Sequence, residues 1–312
     1  MPRTPPPPRD PPKVGPHLLL SQPIPHVLHL TLNRPQAMNS MTDSLEKDLR
    51  ATLKWFEANT SLWVLVLSGS GKAFCAGQDL KEWLEKPKLS AQRSRATGNV
   101  PLQHEKDNAA MLHRMKDLGG FGGLSTRKSN KPMIVAVDGL AMGGGMEIVV
   151  NMDIVVATSR ARFSLPEVCR SVVAAQGGIP RLMSIAGPQL AAEMLLTGRI
   201  ISAQEGYERF GFINALVDVD KAATPEDGQA CALEKALEYA QLIVDNSPEA
   251  VQVTKRAMRL ARDGVDESVY KSAGGIASRA LYAGKNISEG LTAFKEKRKP
   301  RWFDPPAIKS KL

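Results

Sequence analysis

Residues 133–158, MIVAVDGLAMGGGMEIVVNMDIVVAT, carry the reading that decides the fold. Met133 to Val137 and Ile154 to Ala157 are continuous apolar runs of strand length, the pattern of strands buried on both faces. Between them, Gly143-Gly144-Gly145 opens a short apolar helix from about Met146 to Asn151. Strand, glycine turn, helix and strand in this order indicate layered α/β winding.

The flanking sequence extends the pattern. Leu28, Leu30 and Leu32 alternate within His26 to Leu32, which predicts a half-buried strand broken by Asn33-Arg34-Pro35. Leu45, Leu49, Leu53 and Phe56 repeat at helical spacing behind the cap candidates Thr42, Asp43 and Ser44. Trp63 to Leu67 reads as a strand buried on both faces and ended by Ser68-Gly69-Ser70-Gly71. From Lys81 to Lys131 the chain is polar and mixed, with a helix predicted near Asn108 to Leu118 and a flexible pocket wall at Gly119 to Gly123. That glycine cluster lacks the Gly-Lys-Ser/Thr ending of a phosphate loop. After Gly178 the pattern turns helical, with a capping box at Ser202 to Glu205, a stop at Gly211 and a new start at Ser247-Pro248. A boundary near Val219 gives a core domain over 17–219, a C-terminal helical region over 220–303 and a tail over 304–312. Half of residues 1–16 are proline, which predicts a disordered or polyproline-like arm.

Composition bounds the function. A chain of 312 residues that is 43% hydrophobic can bury one large core. No apolar run approaches the ~20 residues that span a bilayer, and no secretory signal opens the chain, so synthesis in the cytosol and no membrane association are expected. Cys75, Cys169 and Cys231 are far apart and read as reduced thiols, and the five histidines form no ligand pair, so no metal is expected. A formal charge of +9 suits a polyanionic small molecule better than nucleic acid, because much of the excess sits in the final segment, Lys295 to Lys311, rather than in a basic face interleaved with aromatics.

The chemistry centres on Ala141 to Glu147. Its glycines either let a main-chain amide, that of Gly144, bind developing negative charge on a carbonyl oxygen, or merely allow tight helix–strand packing; the local sequence supports both equally. Phe74-Cys75-Ala76-Gly77-Gln78-Asp79-Leu80 is a second glycine-containing turn after a buried strand and offers partner donors. Glu147 opens a helix and Glu167 follows Pro166, and neither is unusual by itself.

Taken together, these residues resemble the enoyl-coenzyme A hydratase/isomerase family, the crotonase superfamily, from about His26 to Phe303. The likeness runs through Asn33 to Asn39, Ala73 to Leu80, Lys131-Pro132, Gly143 to Glu147, Asp153, Phe163 to Glu167, Gly177-Gly178, Leu196 to Gly198 and Phe294 to Lys299. The resemblance implies a crotonase-like α/β spiral of repeated strand-strand-helix units, with a C-terminal helical region that builds trimers or hexamers. It implies an oxyanion hole from the amides of Gln78 and Gly144, catalytic carboxylates at Glu147 and Glu167, and coenzyme A contacts at Ala37, Met38, Ala76, Asp79, Leu80, Phe294 and Lys297. The last two are often supplied by a neighbouring subunit. Coenzyme A belongs to the substrate, and no separate cofactor is implied.

Both glutamates are present, which tilts the reading toward hydration of an α,β-unsaturated acyl-CoA. Δ3,Δ2-isomerisation and dehydration of a branched or hydroxylated acyl-CoA of the mevalonyl or carnitinyl type are the alternatives. RNA binding, known in one branch of the family, is disfavoured because Asp43 to Asn59 mixes acids and bases. Ser171, Ala174 and Ala175 stand where many hydratases have a glycine and a Pro-Gly pair, which puts straight-chain substrates in doubt. Ser310-Lys311-Leu312 reads as a peroxisomal address and implies an import receptor as partner. Fatty-acid oxidation and acyl supply for siderophores are both compatible with that compartment.

Overall fold

The computed structural model describes residues 10–85, 113, 118–220, 223–262, 281–282 and 284–306. The helix expected near Asn108 to Leu118 and the Ser310-Lys311-Leu312 tripeptide lie outside the described residues, wholly or nearly so, as do residues 1–9 of the proline-rich arm. The rest of that arm is tied down: the Gly15 amide donates to Asp48 Oδ2 at 2.9 Å, and Val14 packs against the core.

An antiparallel pair, β1 (Leu18–Ser21) and β2 (Val27–Leu32), opens the fold and leads into helix α1 (Asp43–Ala58), whose first turn is capped by Thr42. A two-strand step then recurs: β3 (Val64–Gly69) and β4 (Ala73–Cys75), β5 (Met133–Val137) and β6 (Leu140–Met142), β7 (Ile154–Thr158) and β8 (Arg162–Ser164). The short helix α2 (Gly144–Val149) follows β6, and α3 (Gly178–Thr197) follows β8. The chain continues through β9 (Ile201–Ser202), α4 (Ala203–Glu208), β10 (Ala215–Val217), α5 (Pro225–Val244), α6 (Pro248–Arg262) and α7 (Lys285–Lys295).

The first member of each step joins a six-stranded sheet of order β1-β2-β3-β5-β7-β10, and the second joins a four-stranded sheet of order β4-β6-β8-β9. Except for the outer β1 and β9, pairing is parallel throughout. Each step therefore advances both sheets by one strand, which is the expected spiral of strand-strand-helix units.

The larger sheet is buried on both faces because helices cover both. On one side Leu45, Leu49, Leu53 and Phe56 of α1 join the main core with Leu65, Leu67, Val135 and Val137. On the other side Ala232, Ala236 and Ala240 form an i, i+4 stripe on α5 that packs against Val64, Val66, Ile134, Ala136 and Val156. The methyl-sized side chains let that helix lie close to the strands.

The alternation in β2 predicts a half-buried strand, yet all six of its residues are buried. Its polar positions satisfy one another under cover: His29 Nε2 lies 2.9 Å from Ser68 Oγ and 3.3 Å from Thr31 Oγ1. Burial pushes the His29 imidazole down to about 4, so this ring is neutral in the fold at neutral pH. The short strands of the second sheet go unpredicted because two or three residues carry no readable period. The helix expected from Met146 begins two residues earlier, at Gly144. Gly119 to Gly123, expected as a flexible pocket wall, is a buried turn whose Gly123 amide donates to Gly120 O at 3.0 Å. Lys131, matched above only as part of a motif, is buried and donates to the carbonyls of Phe56 and Asn59, closing the C-terminal end of α1.

The alanine stripe gives a direct test of this packing. Ala236→Leu should destabilise the chain by about 1–3 kcal/mol through overpacking against the sheet, read from urea unfolding midpoints; an unchanged midpoint would show that α5 does not sit so close.

Candidate active site

The strands β4, β6 and β8 are parallel neighbours, so their C-terminal ends point the same way. The turn after β4 carries Gly77 and Gln78, the turn after β6 carries Gly143 and Gly144, and the turn after β8 carries Pro166 and Glu167. Three sequence-distant turns thereby meet at one edge of the smaller sheet.

Contacts fix them there. The Gly143 amide donates to Ser164 O at 3.0 Å, joining the second and third turns. Gly77 has φ +92°, and a Cβ on it would stand 3.0 Å from Met142 O and 3.5 Å from the Gly144 nitrogen, so the first turn lies directly against the second. The glycines also have packing roles: a Cβ on Gly144 would fall 2.6 Å from the Phe121 ring, and one on Gly145 would fall 2.2 Å from Cys75 O. The packing reading of the triple glycine holds. The residues must be glycine for packing, and the Gly144 amide, at the first position of α2, is left without a partner among the described residues. The Gln78 amide also donates no bond there, while its side chain is pinned by donation to Met41 O at 3.0 Å.

The two glutamates converge on this edge. Glu147 is only 3% exposed, and its Oε1 accepts the Gly178 N–H at 3.1 Å. A Cβ on Gly143 would stand 3.3 Å from Glu167 Oε1, so the second carboxylate overhangs the start of the helix that carries the first. Burial raises the Glu147 carboxyl to about 7, with the nearby Glu167 charge adding to the shift and amide N–H groups of Gly178 and Gln176 opposing it. Burial also raises Glu167, whose Oε2 is enclosed with no hydrogen-bond partner among the described residues. Two neighbouring carboxyl groups of raised proton affinity can divide proton delivery and proton acceptance between them.

The expected coenzyme A residues divide into two groups. Ala37, Met38, Ala76, Asp79 and Leu80 share one rim, because the Ala76 amide donates to Met38 O and the Met41 amide to Gly77 O. Met38 and Leu80 are about half exposed at 47% and 49%. The Asp79 carboxylate is committed internally, since it accepts from Arg34 Nη1 at 2.7 Å and from the Lys81 amide at 3.0 Å. Its side chain thus clamps the turn and holds it in register. Phe294 is 85% exposed, and it and Lys297 lie on or just after α7, with no hydrogen bond or ion pair to that rim among the described residues. Sequence reasoning missed Gly178 and Gln176 as holders of Glu147, and Phe121 as the lid over Gly144; the Gly177-Gly178 pair was the available signal. At the departure noted above, Ser171 keeps a left-handed φ of 55°, the conformation for which glycine is the usual residue.

The family model described as Enoyl-CoA hydratase/isomerase matches residues 25–112 and 119–305. The chain belongs to the enoyl-CoA hydratase/isomerase family. It is 42% identical over 294 residues to a mevalonyl-coenzyme A hydratase of Beauveria bassiana, covering 91% of this chain and 94% of that one. It is 37% identical over 287 residues to a mevalonyl-coenzyme A hydratase of Aspergillus fumigatus, with the same coverage of 91% and 94%. Among solved structures, a probable enoyl-CoA hydratase/isomerase of Mycobacterium abscessus superposes with a TM-score of 0.75 at 33% identity, covering 94% of this chain and all of that one. Among the described residues of this family member, no cluster of three metal-ligating side chains occurs and no helix is long and apolar enough to cross a membrane.

The raised Glu147 carboxyl has a thermodynamic signature. Its folded value near 7 exceeds the ordinary 4.5, so the folded chain binds this proton more tightly; that contribution is full below about pH 4.5 and lost as pH rises through 7. Relative to Glu147→Gln, the wild type should lose up to ~3 kcal/mol of stability between about pH 5 and 8. Denaturation midpoints of the two proteins across that range check it, and parallel curves would contradict the burial of an ionisable group.

Proposed function

We infer that the chain is a hydro-lyase that adds water to, or removes it from, the α,β-carbons of an acyl-CoA thioester. One observation carries this reading: two carboxyl groups of raised proton affinity, Glu147 buried and Glu167 half-buried, adjoin two main-chain amides that have no partner among the described residues. Adding water to the β-carbon builds enolate charge on the thioester oxygen, and the amides of Gln78 and Gly144 supply the donors for it, each typically worth ~2.7–4 kcal/mol. Of Glu147 and Glu167, one draws a proton from water while the other delivers one to the α-carbon, and microscopic reversibility gives dehydration by the same parts. Ala37, Met38, Ala76 and Leu80 line the approach for the pantetheine arm, and Asp79 holds their turn through Arg34.

Within this class, the names of the two relatives cited above favour a mevalonyl-type acyl group over a plain alkyl chain. Assembly into a trimer or hexamer through the region after residue 220 would bring a neighbour's Phe294 and Lys297 toward the nucleotide. Peroxisomal import on Ser310-Lys311-Leu312 completes the proposal.

Glu147→Gln and Glu167→Gln should each lower turnover of an enoyl-CoA by about 10²–10⁴-fold with the fold retained, measured by loss of the conjugated thioester absorbance alongside circular dichroism. Near-normal turnover in either variant would remove it from the mechanism. Deleting residues 310–312 should convert a fluorescent fusion from punctate peroxisomal to diffuse distribution; retained puncta would refute the address.

A further inference from the structure

Among the described residues, three buried side-chain polar atoms lack any hydrogen-bond partner, and two of them, Glu167 Oε2 and Gln176 Oε1, lie in one ten-residue stretch beside the reacting carboxylates. An enclosed acceptor with no donor is costly in a finished fold, so a bound molecule is the natural source of the missing hydrogen. Water for the β-carbon answers Glu167. It leaves Gln176 unanswered.

Gln176 is held at the site through its own main chain. Its N–H faces the Glu147 carboxylate, and two residues later the Gly178 N–H bonds Glu147 Oε1 at 3.1 Å. Ala174 is buried and stands 3.3 Å from where a Gly178 Cβ would fall, a space bordered on its other side by the Glu147 side chain at 3.1 Å, so the loop carrying Gln176 packs directly on the reacting carboxyl. Neither end of the Gln176 carboxamide bonds to another described residue. An alkyl chain seated against it would leave the carbonyl orphaned, whereas an alcohol would satisfy it.

We propose that Gln176 is a specificity-determining residue whose carboxamide receives a hydroxyl group carried on the acyl chain beyond the β-carbon. The enzyme accordingly selects hydroxylated acyl-CoA thioesters over alkyl ones of equal length. This rests on the hydro-lyase reading, which fixes where the acyl chain lies.

The test uses matched thioesters that differ by one oxygen. Calorimetric titration of the full chain with the unreactive 5-hydroxypentanoyl-CoA and pentanoyl-CoA reads recognition alone. Turnover of 5-hydroxypent-2-enoyl-CoA and pent-2-enoyl-CoA reads kcat/KM. The wild type should favour the hydroxylated member by about tenfold in both, the discrimination that one neutral hydrogen bond supplies. In Gln176→Met, and in Gln176→Leu as a second variant, the preference ratio should collapse toward one whatever the absolute rate. Equal affinity in the wild type, or a preference that survives both substitutions, overturns the proposal. Discrimination in binding without turnover of either unsaturated thioester would instead defeat the hydro-lyase reading and leave the recognition intact.

Discussion

A carboxylate buried without a cation is the constraint around which this molecule is arranged. Glu147 is almost wholly enclosed, and no ion pair holds it among the described residues. Its polar partners are main-chain N–H groups of Gly178 and Gln176, donated by a loop some thirty residues further along the chain. An arginine in their place would have fixed the group as an anion. Amide dipoles orient it yet leave its proton affinity near neutrality, which is the state that the proposed proton transfer would use.

The two-sheet spiral makes this arrangement possible. Each crossing from the larger sheet to the smaller ends in a parallel strand, and parallel strands release their turns on the same side. Gln78, Gly144 and Glu167 are separated by tens of residues, and they meet because β4, β6 and β8 are adjacent rungs. The close approach of those turns excludes a side chain from Gly77, and the Phe121 ring and the Cys75 carbonyl exclude side chains from Gly144 and Gly145. Helix α1 and the Phe121 turn then close one side of the core, while the alanine face of α5 closes the other.

Departures from the common family pattern fall in the loop from Glu167 to Gly178, where an acyl chain would lie under the proposed mechanism. Ser171 maintains the left-handed turn without glycine, so the backbone course survives the substitution. Where the family often has Pro-Gly, the chain has Ala174 and Ala175 followed by Gln176, whose carbonyl is left unpaired. A preserved frame with altered lining is the expected form of a change in substrate within one reaction class.

The sequence by itself determined the elements whose residues repeat with a strong period or run: α1 from its leucines, β3, β5 and β7 from their continuous apolar stretches, and the capping box at Ser202. It also marked Glu147, Glu167, Gln78 and Gly144 as a set, through the order and spacing of motifs rather than through any property of one residue. Tertiary structure alone decided the three-residue strands of the second sheet, which carry too few positions for a period, and the burial of His29 and Lys131, which depends on what packs over them. It alone assigned Asp79 to a clamp with Arg34 and left Gln176 unsatisfied. Proton affinity and hydrogen-bond satisfaction belong to the surroundings of a group, and those surroundings are assembled from segments that the linear chain keeps far apart.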